Sequence, residues 1–393
     1  MKIKLFFLLL FTLHVVTSFS QEEKSISDQI KIERDTELGK ISNELNANDK
    51  FIDSLRLKLS NVSGNTKKVD GLKKLQIALE QRLKKLEEKP KTKIRLNGQL
   101  ALTELLSIQR DIKPADLFLK SQTFFNNLGE IGDVSKYNAF RSWKVEYDKW
   151  YKKKKSSSEV ITLINNSINI VSDISNKVPI YGSISQTITS GLTSVFSSIG
   201  NRYKELKNKT PEMINLLNMI SQFEQQKSII DYEWKLINKE LEQLKSENLN
   251  LLKTQLKYYD LSYEEFLNSY LTETLENKRD DYKENCRKAI NTKIAKLEIN
   301  KDDSWLGDIE TYMYKVQSIR MRFGQLTNRM LLNIDKYNDL ITVYNKPSYP
   351  LEFTTKISSL SSSLKNVRST FYNSFNPIVY IEDSATMYIG SDI

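Results

Sequence analysis

Residues 210–259 read TPEMINLLNMISQFEQQKSIIDYEWKLINKELEQLKSENLNLLKTQLKYY. Ile220, Phe223, Ile230, Trp234, Ile237, Leu241, Leu244, Asn248 and Leu251 recur three and four residues apart, and Lys227 fills the place between Phe223 and Ile230. A period of three to four over so long a run predicts a single α-helix with one face in a core. Thr210 stands where an N-cap belongs and Pro211 at the first helical position. The rod would be on the order of 70 Å at 1.5 Å per residue. A chain built around such an element, with 12 glycines and 7 prolines in 393 residues, reads as all-α.

The downstream sequence repeats the theme. Ser262 and Glu265 are spaced as a capping box for a helix running to about Ile299. Asp302, Asp303 and Ser304 offer a cap for the next, whose face is Ile309, Tyr312, Val316, Ile319, Phe323, Leu326 and Met330. Pro347 and Pro350 break the chain, and Ile357, Leu360, Leu364, Val367 and Phe371 mark another helix before Pro377. In the tail, IVYIE and TMYIG read either as a small β-hairpin at the C-terminus or as a segment extended along the bundle.

Upstream, a seam runs through Leu38, Ile41, Leu45, Asn48, Ile52, Leu55, Leu59 and Val62, with one polar layer at Asn48. Ser63-Gly64-Asn65 interrupts it as a turn. Leu72, Leu75, Leu79, Leu83 and Leu86 resume it, and Pro90 is expected to end it. The two pieces would form an antiparallel helical hairpin. Lys67, Lys68, Lys73, Lys74, Arg82, Lys84 and Lys85 fall off this seam and read as a solvated face. Shorter helices follow, one opened by Pro114 and closed by Gly129 and Gly132, the next carrying Tyr137, Phe140, Trp143, Tyr147, Trp150, Tyr151 and Lys152, Lys153, Lys154 and Lys155.

Residues 157–200 differ from the rest. Val160, Ile164, Ile168, Val171, Ile174 and Val178 make one apolar row; Val178-Pro179-Ile180-Tyr181-Gly182 reads as a turn; Ile184, Ile188, Leu192, Val195 and Ile199 make the second row. This is a central helical hairpin, uncharged from Val178 to Asn201. The flanking aromatic and cationic residues suit a lipid headgroup region. Candidate membrane-interface or partner-binding residues are therefore Trp143, Tyr147, Trp150, Tyr151, Lys152, Lys153, Lys154, Lys155, Ile180, Tyr181, Ile184, Ile188, Leu192, Val195 and Ile199. Core packing inside the bundle is the competing reading of the same residues. Long helices interrupted by a weakly hydrophobic hairpin with a VPIYG-like turn resemble the α-helical pore-forming toxins of the cytolysin A and haemolysin BL type, and that layout implies insertion after oligomerisation.

The N-terminus shapes the chemistry. Lys2 and Lys4 precede an apolar run from Leu5 to Val16, and Ser18 and Ser20 are small residues before Gln21. This predicts a secretory signal peptide over residues 1–20, and hence a secreted, periplasmic or cell-envelope protein. The single histidine, His14, would leave with it. Without imidazole, a Ser-His-Asp or Cys-His site cannot form and the usual zinc ligands are missing. The lone Cys286 cannot make an internal disulfide and reads as a buried thiol. No P-loop or dinucleotide fingerprint occurs. The Asp302-Asp303 and Glu264-Glu265 pairs sit where helices start, so capping explains them. Lys+Arg number 59 against 49 Asp+Glu, a modest basic excess that favours anionic partners weakly.

The expectation is an all-α, elongated bundle of long helices with coiled-coil segments. Its segments are 1–20 signal peptide, 21–93 coiled-coil helices, 94–156 short helices, 157–200 hairpin, 201–345 long-helix bundle, 346–376 C-terminal helix and 377–393 tail. It is expected to be non-enzymatic, with no metal, no cofactor and no nucleic acid. Its partner would be another protein or a second copy met through helices, with a lipid membrane as the alternative.

Overall fold

The computed structural model describes residues 25–61, 65–121, 123–154 and 203–388. All regular structure in them is helical, and among the described residues there is no strand. In chain order the helices are α1 (Ile26–Ser60), α2 (Asn65–Ser121), α3 (Thr123–Ile131), α4 (Asn138–Lys154), α5 (Lys204–Tyr258), α6 (Tyr263–Phe266), α7 (Glu276–Ile299), α8 (Ser304–Tyr344), α9 (Leu351–Ser374) and α10 (Pro377–Thr386). A 3₁₀ turn at Val134–Lys136 precedes α4, and a π-turn at Leu267–Leu271 follows α6. The predicted signal peptide and the 157–200 hairpin lie outside the described residues.

The face read from residues 210–259 is the buried face of α5. Ile220, Phe223, Ile230, Ile237, Leu241, Leu244 and Asn248 are all buried. The start differs from expectation. α5 begins at Lys204, so Pro211 lies inside it. Leu206 and Thr210 are buried on the same face, and Thr210 Oγ1 donates to the Leu206 carbonyl at 2.7 Å. Pro211 and Lys207 are exposed, so the carbonyl left without a helical donor faces water.

α2 likewise runs through Pro90 and Pro114, where breaks were expected, and spans 57 residues. Pro90 is exposed, while Thr92 and Leu96 beyond it are buried and hold the helix in register. The helix predicted from Ser262 to Ile299 is divided. Ser262 does cap α6, accepting from the Glu265 N–H at 3.3 Å, but the π-turn intervenes before α7. The cap expected before α8 is present: Asp302 Oδ1 accepts from the Ser304 N–H at 3.0 Å.

The C-terminal β-hairpin is not formed. Pro377 starts α10, and Asn376 Oδ1 accepts from the Ile378 N–H at 3.1 Å. Pro377, Ser384 and Met387 are buried at helical spacing while Ile378 and Val379 are exposed. Burial at that spacing overrides the β propensity of the IVY run.

The chain divides into two compact units. The first comprises residues 1–111, 245–321 and 381–393, as far as they are described. Its core holds Leu100, Leu105, Leu252, Tyr282, Cys286, Ile290, Trp305 and Ile309. Gly98 lets α2 and α8 touch: a Cβ there would stand 2.8 Å from Ile309 Cγ2, and Tyr312 Oη donates to the Gly98 carbonyl at 2.7 Å. Asn248 is fully enclosed and donates from Nδ2 to Gln109 Oε1 at 2.9 Å and to the Leu105 carbonyl at 3.3 Å. The amide group of the polar layer predicted there is thus paired within the chain, while Asn248 Oδ1 is buried without a hydrogen-bond partner. Burial pushes the Cys286 thiol up to about 12, as expected of an inert structural cysteine.

The second unit comprises residues 112–244 and 322–380, as far as they are described. Phe223, Tyr344 and Phe353 meet edge-on, with Phe223 and Tyr344 centroids 5.4 Å apart. Beneath them Lys227 lies between Asp231 at 2.8 Å and Glu224 at 3.4 Å, and Tyr337 Oη donates to Asp231 at 2.6 Å. Burial pushes the Glu224 carboxyl above its ordinary range against the pull of Lys227. Burial alone would lower Lys227, but Glu224 and Asp231 hold it above its ordinary value.

Candidate protein-interaction surface

The end of the first unit is the antiparallel pair formed by α1 and the first part of α2. On α1 the predicted seam is the inner face: Leu38, Ile41, Ile52 and Leu55 are buried, and Leu45, Asn48 and Leu59 are partly so. On α2 it is not. The residues turned toward α1 are Gly71, Leu75, Ala78, Arg82, Lys85 and Lys89. Ala78 packs with Ile52, Leu55 and Leu75. A Cβ on Gly71 would come within 2.6 Å of Leu59 Cδ2, so the helices close tightly at this end. Arg82 pairs with Asp49, and Lys85 Nζ bridges Glu44 at 2.8 Å and Glu88 at 2.9 Å. Those hydrogen bonds raise the Lys85 amine above its ordinary value.

Arg82 and Lys85, expected on a solvated face, are therefore inner residues. The leucine row is rotated outward. Val69, Leu72, Leu79, Leu83 and Leu86 are 50%, 56%, 37%, 58% and 41% exposed. They are spaced as a heptad, with Val69 and Leu83 at a and Leu72, Leu79 and Leu86 at d. Gln76 occupies the remaining a place and donates from Nε2 to Glu80 Oε1 at 2.9 Å. Three successive a/d pairs are thus left unburied along one side of a well-formed helix. Leucine content alone pointed to this row; its direction was hidden because Gly71 and Ala78 supply a smaller, closer-packing face.

The residues singled out from sequence sit elsewhere. Trp143, Tyr147 and Trp150 are buried in the second unit. Trp143 stacks on Tyr147 at 5.0 Å and donates from Nε1 to Thr210 Oγ1 at 3.2 Å. Tyr147 reaches Trp150 at 5.7 Å. These rings are core contacts between α4 and α5. Tyr151, Lys152, Lys153 and Lys154 continue α4, and their side chains are outside the described set. Lys155, Ile180, Tyr181, Ile184, Ile188, Leu192, Val195 and Ile199 lie outside the described residues altogether. Among the described residues no helix is long and apolar enough to cross a membrane, and no group of His, Cys, Asp and Glu is arranged to hold a metal ion.

Comparison with protein-family models, with curated proteins and with solved structures finds no match to this chain.

Proposed function

We propose that this is an exported, non-enzymatic binding or scaffold protein that works through helical surfaces. The observation that carries the reading is the outward row Val69, Leu72, Leu79, Leu83 and Leu86, which the described residues leave exposed. An apolar row of this kind is unfavourable in water unless a partner covers it. Export rests on the leader-like residues 1–20, and the absence of catalysis on a chain whose single histidine is His14. A photo-crosslinking side chain at position 83, against a control at Lys84, tests the binding reading in the extracellular and envelope fractions of source cells. Adducts are expected at 83 and not at 84. No adduct of any kind at 83 would sink it. A second reading, membrane insertion by residues 157–200, is supported by the uncharged run from Val178 to Asn201 and by the resemblance of the sequence layout to α-helical pore-forming toxins.

A further inference from the structure

We propose that the outer row of α2 seats the same row of a second copy of this chain, antiparallel, as a self-complementary pair. The proposal rests on the binding reading above and names its partner.

Register comes first. Val69, Leu72, Gln76, Leu79, Leu83 and Leu86 alternate a and d without a skip, which is the spacing one helix needs to interlock with another. Set antiparallel, Val69 lies beside the partner's Leu86, Leu72 beside the partner's Leu83, and Gln76 beside the partner's Leu79. Every a position then meets a d position, and the two Gln76 amides fall on either side of the two-fold axis.

Length agrees with this alignment. The exposed stretch runs from Lys67 near the start of α2 to Pro90. At the next residue, Lys91 Nζ meets Asp303 Oδ1 at 2.7 Å, and Thr92 is buried, so α2 is covered by its own chain from there as far as Ile112. In the antiparallel register the partner's Asn65 falls opposite Pro90. The start of α2 in one copy thus stops where the other copy's α2 becomes covered.

Charge fits the same arrangement. α1 covers the flank of the row that carries Leu75 and Arg82, leaving open the flank with Lys73, Glu80 and Glu87, all exposed. Lys73 then faces the partner's Glu80, and Glu80 the partner's Lys73, near the axis. On the covered flank Lys89 turns toward its own α1, so Lys68 nears the partner's Lys89 only at the ends, where salt screens the repulsion. A parallel pair would instead set Lys68 against the partner's Lys73. Its favourable contacts would draw on Arg82, which Asp49 already holds. Closed two-fold pairing of one patch with itself is the commonest way such a face is covered. Three heptads make a short interface, so dissociation is expected near about 1 μM.

The test uses the full chain after removal of residues 1–20. Sedimentation equilibrium is expected to show a doubling of mass that the double variant L79E/L83E abolishes, weakening pairing about tenfold or more. Circular dichroism should show that variant as helical as the parent, because both leucines are exposed. Orientation is read from disulfides, the native Cys286 being buried. A mixture of Val69→Cys and Leu86→Cys chains should cross-link, and Leu86→Cys alone should not. A parent that stays monomeric at about 100 μM, a dimer indifferent to L79E/L83E, or self-cross-linking of Leu86→Cys would each overturn the proposal. Monomer together with a foreign adduct at position 83 would reject self-pairing and leave the binding reading standing.

Discussion

Among the described residues, two carry positive φ without being glycine: Asp260 at 60° and Lys301 at 56°. Each ends a helix. The Leu261 N–H returns to the Leu256 carbonyl at 2.8 Å, and the Asp302 N–H to the Leu297 carbonyl at 3.0 Å, the six-to-one bond of a Schellman end. A Cβ in this conformation costs about 1 kcal/mol or more. Lys301→Gly is therefore expected to raise stability by about 1 kcal/mol in denaturant titration, with no change in helix content. The buried cluster around Lys227 has the opposite character. Replacing Lys227 by Met removes the cation and leaves the buried Glu224 carboxyl without it, a loss of about 3 kcal/mol at neutral pH. The sign of the pH dependence follows from Glu224. Its folded value is raised, so the folded chain holds that proton more tightly. Stability from this group is present below the ordinary carboxylate range and is lost as pH rises through the folded value. The Lys227→Met deficit should accordingly shrink on acidification through that window, measured by urea titration at a series of pH values.

At the scale of elements, Gly98 is the contact on which α2 and α8 depend. Gly98→Ala drives a methyl against Ile309, which is itself buried, and should cost about 1–3 kcal/mol and lower the melting temperature. Helix faces were legible where large apolar residues make the contact. The rows of α1 and α5 were read correctly because Leu and Ile do the packing there, and Lys227 was seen in its gap. Contacts made by small residues were not legible: Gly71 and Ala78 set the α1–α2 interface, so the brighter leucine row was assigned inward and lies outward. Proline was over-read as punctuation. Pro90 and Pro211 each stand on the wet side of a helix, where the carbonyl they strand can bond water. The periodicity of Leu206 and Met213 across Pro211 was the available signal. The β reading of the tail failed because Ile378 and Val379 were weighed by propensity, whereas Ser384 and Met387, at helical distance, fix the buried side.

At the scale of the molecule, neither unit is one continuous stretch of chain, and the boundaries fall within α2, α5, α8 and α10. No simple truncation isolates either one, so function has to be tested on a chain that keeps both units whole. Dye release from vesicles of neutral and of anionic lipid separates the two functional readings at this scale. The scaffold reading expects no leakage at any salt concentration. Leakage that rises with protein concentration would favour insertion, and it would have to arise without Trp143, Tyr147 and Trp150 as an interfacial belt unless they leave their buried sites.

The four tryptophans divide unevenly: Trp143, Trp150 and Trp234 belong to the second unit and Trp305 alone to the first. The molecule thus carries its own pair of optical labels. Trp305→Phe leaves emission from one half of the chain, and a triple Phe variant leaves a single fluorophore, enclosed from solvent, to report the melting of the other. Whether the halves come apart together or in succession can be read from native light alone, with no dye attached.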